Sequence, residues 1–123
     1  GGAMGPAQFI PSTWMKYKER ISEITKKPAN PWNIKDAFLA AALYLKDFGA
    51  DKRTSEAEWK AAMIYFAGSV NLKYRFYGDS VVAKARDFEE DIKVLEQSLV
   101  FQAQKLLGLN SLPLLIQYRA KFF

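Results

Sequence analysis

An all-α fold of about five helices is what this sequence predicts, and three observations carry the expectation. Apolar residues recur at helical spacing in separate stretches. Residues that start or stop helices stand at the ends of those stretches. No run alternates apolar and polar residues for long enough to read as a strand. The chain has 123 residues, of which 50% are hydrophobic and 15% aromatic. That is enough for a packed core, and it argues against intrinsic disorder. Neither an internal repeat nor a low-complexity segment interrupts the pattern.

Residues 1 to 10 read as a loop, because three glycines and a proline crowd into them. Pro11, Ser12 and Thr13 open the first helix, with proline suited to a first turn. Trp14, Tyr17, Ile21 and Ile24 then share one face. Lys27-Pro28-Ala29-Asn30-Pro31 ends that segment. Asn33 is a good N-cap for the second helix, Asp36 suits its first turn, and Gly49 suits its C-terminal end. From Ala37 to Leu45 this helix has almost no polar face, the pattern of a helix buried all round.

Ser55 and Glu58 have capping-box spacing, ahead of an apolar helix that ends at Gly68. A connector rich in Tyr and Phe follows. Asp79 or Ser80 is expected to cap a long helix reaching Leu107, with Val81, Ala85, Phe88, Ile92, Leu95 and Leu99 as its inner face. Gly108 stops it, and a short fifth helix is expected from about Leu112 to Lys121.

Composition removes several chemistries. The chain has no cysteine and no histidine, which excludes disulfides, thiol nucleophiles, histidine bases and zinc sites of the usual ligand types. No metal and no cofactor is expected. Lys and Arg outnumber Asp and Glu by 18 to 13, a net charge of +5. That favours anionic partners or serves solubility. The basic residues are spread along the chain and form no recognised motif, so nucleic acid is not expected as a partner. The stretch from Gln97 to Tyr118 is poor in charge but contains Lys105, Asn110, Ser111 and Pro113, so no membrane span is expected. The chain shows no signal peptide and does not open on Met, so the gene product is expected to extend upstream.

Function enters through motifs. Gly2-Ala3-Met4-Gly5-Pro6-Ala7-Gln8-Phe9-Ile10-Pro11-Ser12 resembles the loop-to-helix signature of lytic murein (peptidoglycan) transglycosylases, whose domain is lysozyme-like. Asn30-Pro31-Trp32-Asn33-Ile34-Lys35-Asp36-Ala37 is similar to that family's entry into its central helix. Ala61 to Ser69 resembles its Ala-x-x-x-Tyr-Asn-Ala-Gly helix end, and Tyr77-Gly78-Asp79-Ser80-Val81 resembles a turn found in some members. The resemblance spans residues 1 to 93, read as the C-terminal part of the lysozyme-like domain, its helical lobe. Residues 94 to 123 resemble nothing in the family and read as a helical extension. Their leucines require burial, either on the surface left bare by a missing N-terminal helix or against another copy in a homo-oligomer.

The resemblance implies cleavage of the MurNAc-GlcNAc bond of peptidoglycan without water. A single glutamic acid protonates the glycosidic oxygen, then serves as base toward the C6 hydroxyl, leaving a 1,6-anhydromuramoyl end. In the family that glutamate precedes the glycine-rich loop, so no catalytic residue is assigned in this chain, and the chain alone is expected to be inactive. Glu19 and Glu23 read as a solvated helix face, Asp36 as a first-turn residue, Asp79 as a cap, and Glu89, Glu90 and Asp91 as helix surface.

The implied substrate-binding residues are Gln8, Tyr65, Met4 and Tyr77. Gln8 offers amide donors and acceptors to a glycan, or braces its loop. Tyr65 orients the acid, or is a core tyrosine. Met4 packs beneath a sugar, or anchors the loop. Tyr77, with Tyr74 and Phe76, offers aromatic faces to a glycan or forms a lid on the helices. Phe66 stands where many members have asparagine. The implied partner is a peptidoglycan glycan strand and the implied location the periplasm or cell envelope. The alternative reading is a non-catalytic peptidoglycan-binding or scaffold module.

Overall fold

Four α-helices make up most of the computed structural model, which describes residues 2–108. They are α1 (Pro11–Thr25), α2 (Ile34–Asp47), α3 (Ser55–Ala67) and α4 (Arg75–Leu107). Short 3-10 turns at Ala50–Lys52 and Leu72–Tyr74 precede α3 and α4. The fold is all-α, and among the described residues β-pairing is limited to one isolated bridge between Met4 and Phe9. No described helix is long and apolar enough to cross a membrane. The helix expected from Leu112 to Lys121 lies outside the described residues.

The chain divides into two compact units, Gly1–Val82 and Ala83–Phe123. In the first, Pro11 occupies the first turn of α1, and Trp14, Tyr17 and Ile21 are its buried residues. Ile24, expected on the same face, is 56% exposed, because the last turn of α1 runs past the buried cluster. Asn33 caps α2 as expected, its side chain accepting from the backbone N–H groups of Lys35 and Asp36 at 3.0 and 3.2 Å. Gly49, at φ +95°, takes the left-handed turn beyond the helix end.

Three local expectations shift. The N-cap of α3 is Thr54, whose hydroxyl accepts from the Ala57 N–H at 3.3 Å, and Ser55 is already helical. Either residue type can cap, and the extended backbone falls at Thr54. α4 begins at Arg75, so Asp79 lies inside the helix rather than capping it. Asp79 accepts from Trp59 Nε1 at 2.8 Å and from Arg75 Nε at 3.0 Å, and these two donors hold its carboxyl below the usual carboxylate range. Gly78 allows that approach: a Cβ there would stand 2.7 Å from Trp59 Nε1 and 3.1 Å from Met63 Cγ.

The third shift concerns α2, which is not buried all round. Ala37 and Ala40 are fully inside, but Ile34 and Phe38 on another face are exposed. The core cluster joins Ala7, Phe9, Trp14, Tyr17, Ile21, Ala37 and Ala40. Phe9 sits at its aromatic centre, with ring centroids 5.6–6.3 Å from Trp14, Tyr17, Tyr44 and Tyr65. Phe9 thus anchors the N-terminal loop in the helices, with Ala7 buried beside it in the same cluster.

In the second unit the described residues are the remainder of α4. Phe88, Ile92, Leu95 and Leu99, expected to face inward, are exposed along it.

Candidate functional site

The site is built on the loop from Met4 to Phe9. The Met4 N–H donates to the Phe9 carbonyl at 2.8 Å and closes the loop. Within it Gly5 holds φ +63°, where a side chain is strained, and there is no room for one. A Cβ at Gly5 would lie 1.8 Å from the Pro31 carbonyl oxygen. The loop therefore rests directly on the turn Asn30-Pro31-Trp32. That turn is itself held by Asp36, which accepts from the Asn30 N–H at 2.9 Å.

Gln8 also adopts a left-handed conformation, φ +55°, which is uncommon for a residue other than glycine. Its side-chain Nε2 donates to the Gly5 carbonyl at 2.9 Å. Gln8 accordingly braces the loop with one amide donor. At the next carbonyl back, the Tyr65 hydroxyl donates to Ala7 O at 2.5 Å. Burial, followed by the neighbouring Tyr77 and Tyr44, pushes the Tyr65 hydroxyl up to about 12, so it is neutral at ordinary pH. With its proton committed to Ala7, the oxygen retains lone pairs to accept a hydrogen bond.

Two cavities flank this pair. One, of about 320 Å³, is walled by the loop residues Pro6, Ala7 and Gln8, by Phe38, Ala41 and Leu45 of α2, by Ala62 and Tyr65 of α3, and by Tyr77 and Val81 of α4. The other, of about 350 Å³, is lined by Gln8, Phe9, Ile10, Thr13, Tyr44, Tyr65, Phe66 and neighbours in α3. Gln8 and Tyr65 line both. Tyr77 belongs to the first and stacks on Phe66 at 4.5 Å between centroids and 21° between planes. Phe66 also meets Tyr74 and Phe76 edge-on. Where the implied family pattern has an amide, this chain has the centre of an aromatic patch.

Three of the four implied binding residues, Gln8, Tyr65 and Tyr77, thus meet at one place. Met4 lines neither cavity and packs against the core cluster. Phe38 and Leu45 were not singled out from the sequence as wall residues, because α2 looked uniformly apolar. The signal was present in the spacing Ile34, Phe38, Ala41, Leu45, a stripe offset from the buried Ala37 and Ala40.

No carboxylate lines either cavity. Glu19 and Glu23 are exposed on α1, and Asp36 and Asp79 are held as described. Among the described residues no group of three or more acidic side chains is gathered as for a metal ion. The chain matches no family model, no curated protein and no solved structure.

Proposed function

We propose that this chain forms the substrate wall of a peptidoglycan lytic transglycosylase domain, in the periplasm or cell envelope. The observation that carries the reading is the meeting of motifs separated in sequence. Gly5 of the first rests on Pro31 of the second, Tyr65 of the third donates to Ala7 of the first, and Tyr77 of the fourth shares their cavity. Motifs resembling one family's site converge on one site here.

The reading gives each group a task. Tyr77, backed by Phe66, presents an aromatic face of the kind that packs on sugar rings. Gln8 fixes the loop edge at which both cavities meet. The Tyr65 oxygen accepts a hydrogen bond from an undissociated carboxylic acid. That contact favours the protonated form and raises the acid's pKa, as proton donation to a glycosidic oxygen requires. The acid itself is not among the residues that line the two cavities. The same acid then takes the proton from the C6 hydroxyl as that oxygen attacks the anomeric carbon, giving the 1,6-anhydro ring.

The test is digestion of insoluble sacculi with the full gene product, followed by mass spectrometry of the released muropeptides. Anhydromuramoyl ends support the reading, and reducing ends alone replace it with a hydrolase. Sacculus binding without release favours the second reading, a non-catalytic peptidoglycan-binding module. The absence of a carboxylate from both cavities among the described residues motivates that alternative.

A further inference from the structure

The later part of α4 carries a seam that the site does not use. Ala85, Phe88, Ile92, Leu95, Leu99 and Leu106, with Gln102 between the last two, follow one another at alternating steps of three and four residues. That is a strict heptad repeat, the period at which two helices wind about each other. Val94, Phe101 and Leu107 are exposed off this repeat, so the apolar surface of the helix is wider than the seam, but only the seam keeps the heptad period throughout. The five large side chains of this seam are between 51% and 86% exposed.

We infer that this seam pairs antiparallel with the same seam of a second copy of the chain. Charge decides both partner and register. With Leu95 against the partner's Leu99 and Phe88 against the partner's Leu106, Asp91 flanks the partner's Lys105. Two-fold symmetry makes that attraction twice, against a single Glu96–Glu96 repulsion. Slipping the pair by one heptad, to Ile92 against the partner's Leu95, sets Lys84 beside Lys105 and Glu89 beside Glu96, each twice. A parallel pair sets Lys84 beside the partner's Glu89 but Asp91 beside the partner's Glu96, so attraction and repulsion cancel. Antiparallel helices also align their dipoles favourably. In the favoured register Gln102 lies against the partner's Ile92 and is the only polar residue in the seam, a device that restricts register at some cost in affinity. This inference is independent of the glycan reading.

Sedimentation velocity of the full chain over a dilution series tests it. The wild-type chain is expected to dimerise. Leu95→Glu, on an exposed helix face and so compatible with folding, is expected to weaken association by about 30-fold or more. Lys105→Glu is expected to weaken it by about two- to tenfold, and Asp91→Lys/Lys105→Glu to restore it. A monomer at every concentration overturns the proposal, including one whose seam is covered by the chain's own remaining residues. A dimer indifferent to Leu95→Glu overturns it as well. Weakening without rescue by the double reversal overturns the antiparallel register.

Discussion

The Tyr65 hydroxyl donates to the Ala7 carbonyl across 58 positions of sequence, and this one bond ties the glycine-rich loop to α3. The aromatic ring separately packs on Phe9 and Tyr44, at 5.6 and 5.3 Å between centroids. Tyr65→Phe keeps the packing and deletes the bond. It is expected to cost about 1–2 kcal/mol, since the Ala7 carbonyl loses its partner in a half-buried place. Urea unfolding measures the loss. An unchanged midpoint would show that the bond contributes nothing net.

Gly5 is the second tie. Gly5→Ala asks for both a left-handed alanine and a Cβ on top of the Pro31 carbonyl. Strain of this kind costs about 1–3 kcal/mol where the backbone yields. The expected result is a lower thermal midpoint together with weaker binding to sacculi, because the loop must lift. By contrast Gly2→Ala meets nothing within 4 Å and is expected to be silent in both measurements.

Alkaline pH tests the aromatic core. Burial is the first cause that pushes both Tyr17 and Tyr65 up to about 12, from an ordinary value of 10.0. A folded pKa raised in this way favours the protonated, folded form. The stability it brings is whole below pH 10.0 and is lost as pH rises through about 12. Thermal unfolding followed across that window is expected to show a falling midpoint. Tyr65→Phe is expected to flatten the fall. A midpoint insensitive to pH there would contradict the burial argument.

Glycan binding divides the wall residues. Tyr77→Ala removes the half-buried partner of the Phe66 stack and is expected to weaken co-sedimentation with sacculi about tenfold. Gln8→Ala, which loses one amide and frees a strained loop, is expected to weaken it several-fold. Glu19→Gln, on the exposed face of α1, is expected to leave it unchanged. Equal behaviour of all three variants would remove the site from glycan recognition.

The first unit was legible where local chemistry and tertiary packing agree. Trp14, Tyr17 and Ile21 follow a period that the core uses, and Asn33 and Gly68 are caps whose geometry needs only their neighbours. Reading failed where a partner elsewhere decides. Asp79 or Ser80 was expected to cap the long helix, yet Gly78 is a contact point for Trp59 and the helix runs through it from Arg75. Phe38 looked like core because the stretch from Ala37 to Leu45 is almost wholly apolar, and only the assembled loop and α4 make its face a cavity wall. Gln8 had two open readings. Its hydrogen bond to Gly5 establishes the bracing one, and its position between the cavities leaves the binding one to experiment.

The loop from Met4 to Phe9 is closed at its ends, braced inside by Gln8, held from above by Tyr65 and seated on Pro31. A ligand that touches it meets a surface whose backbone is already braced. Ordering a side chain or loop on binding typically forfeits about 0.5–1.5 kcal/mol per immobilised group, and here that entropy is surrendered during folding. Calorimetry of a ligand at this edge should therefore record a small entropic penalty and little temperature-dependent reorganisation. Affinity would then be set by shape, with the loop acting as a fixed template.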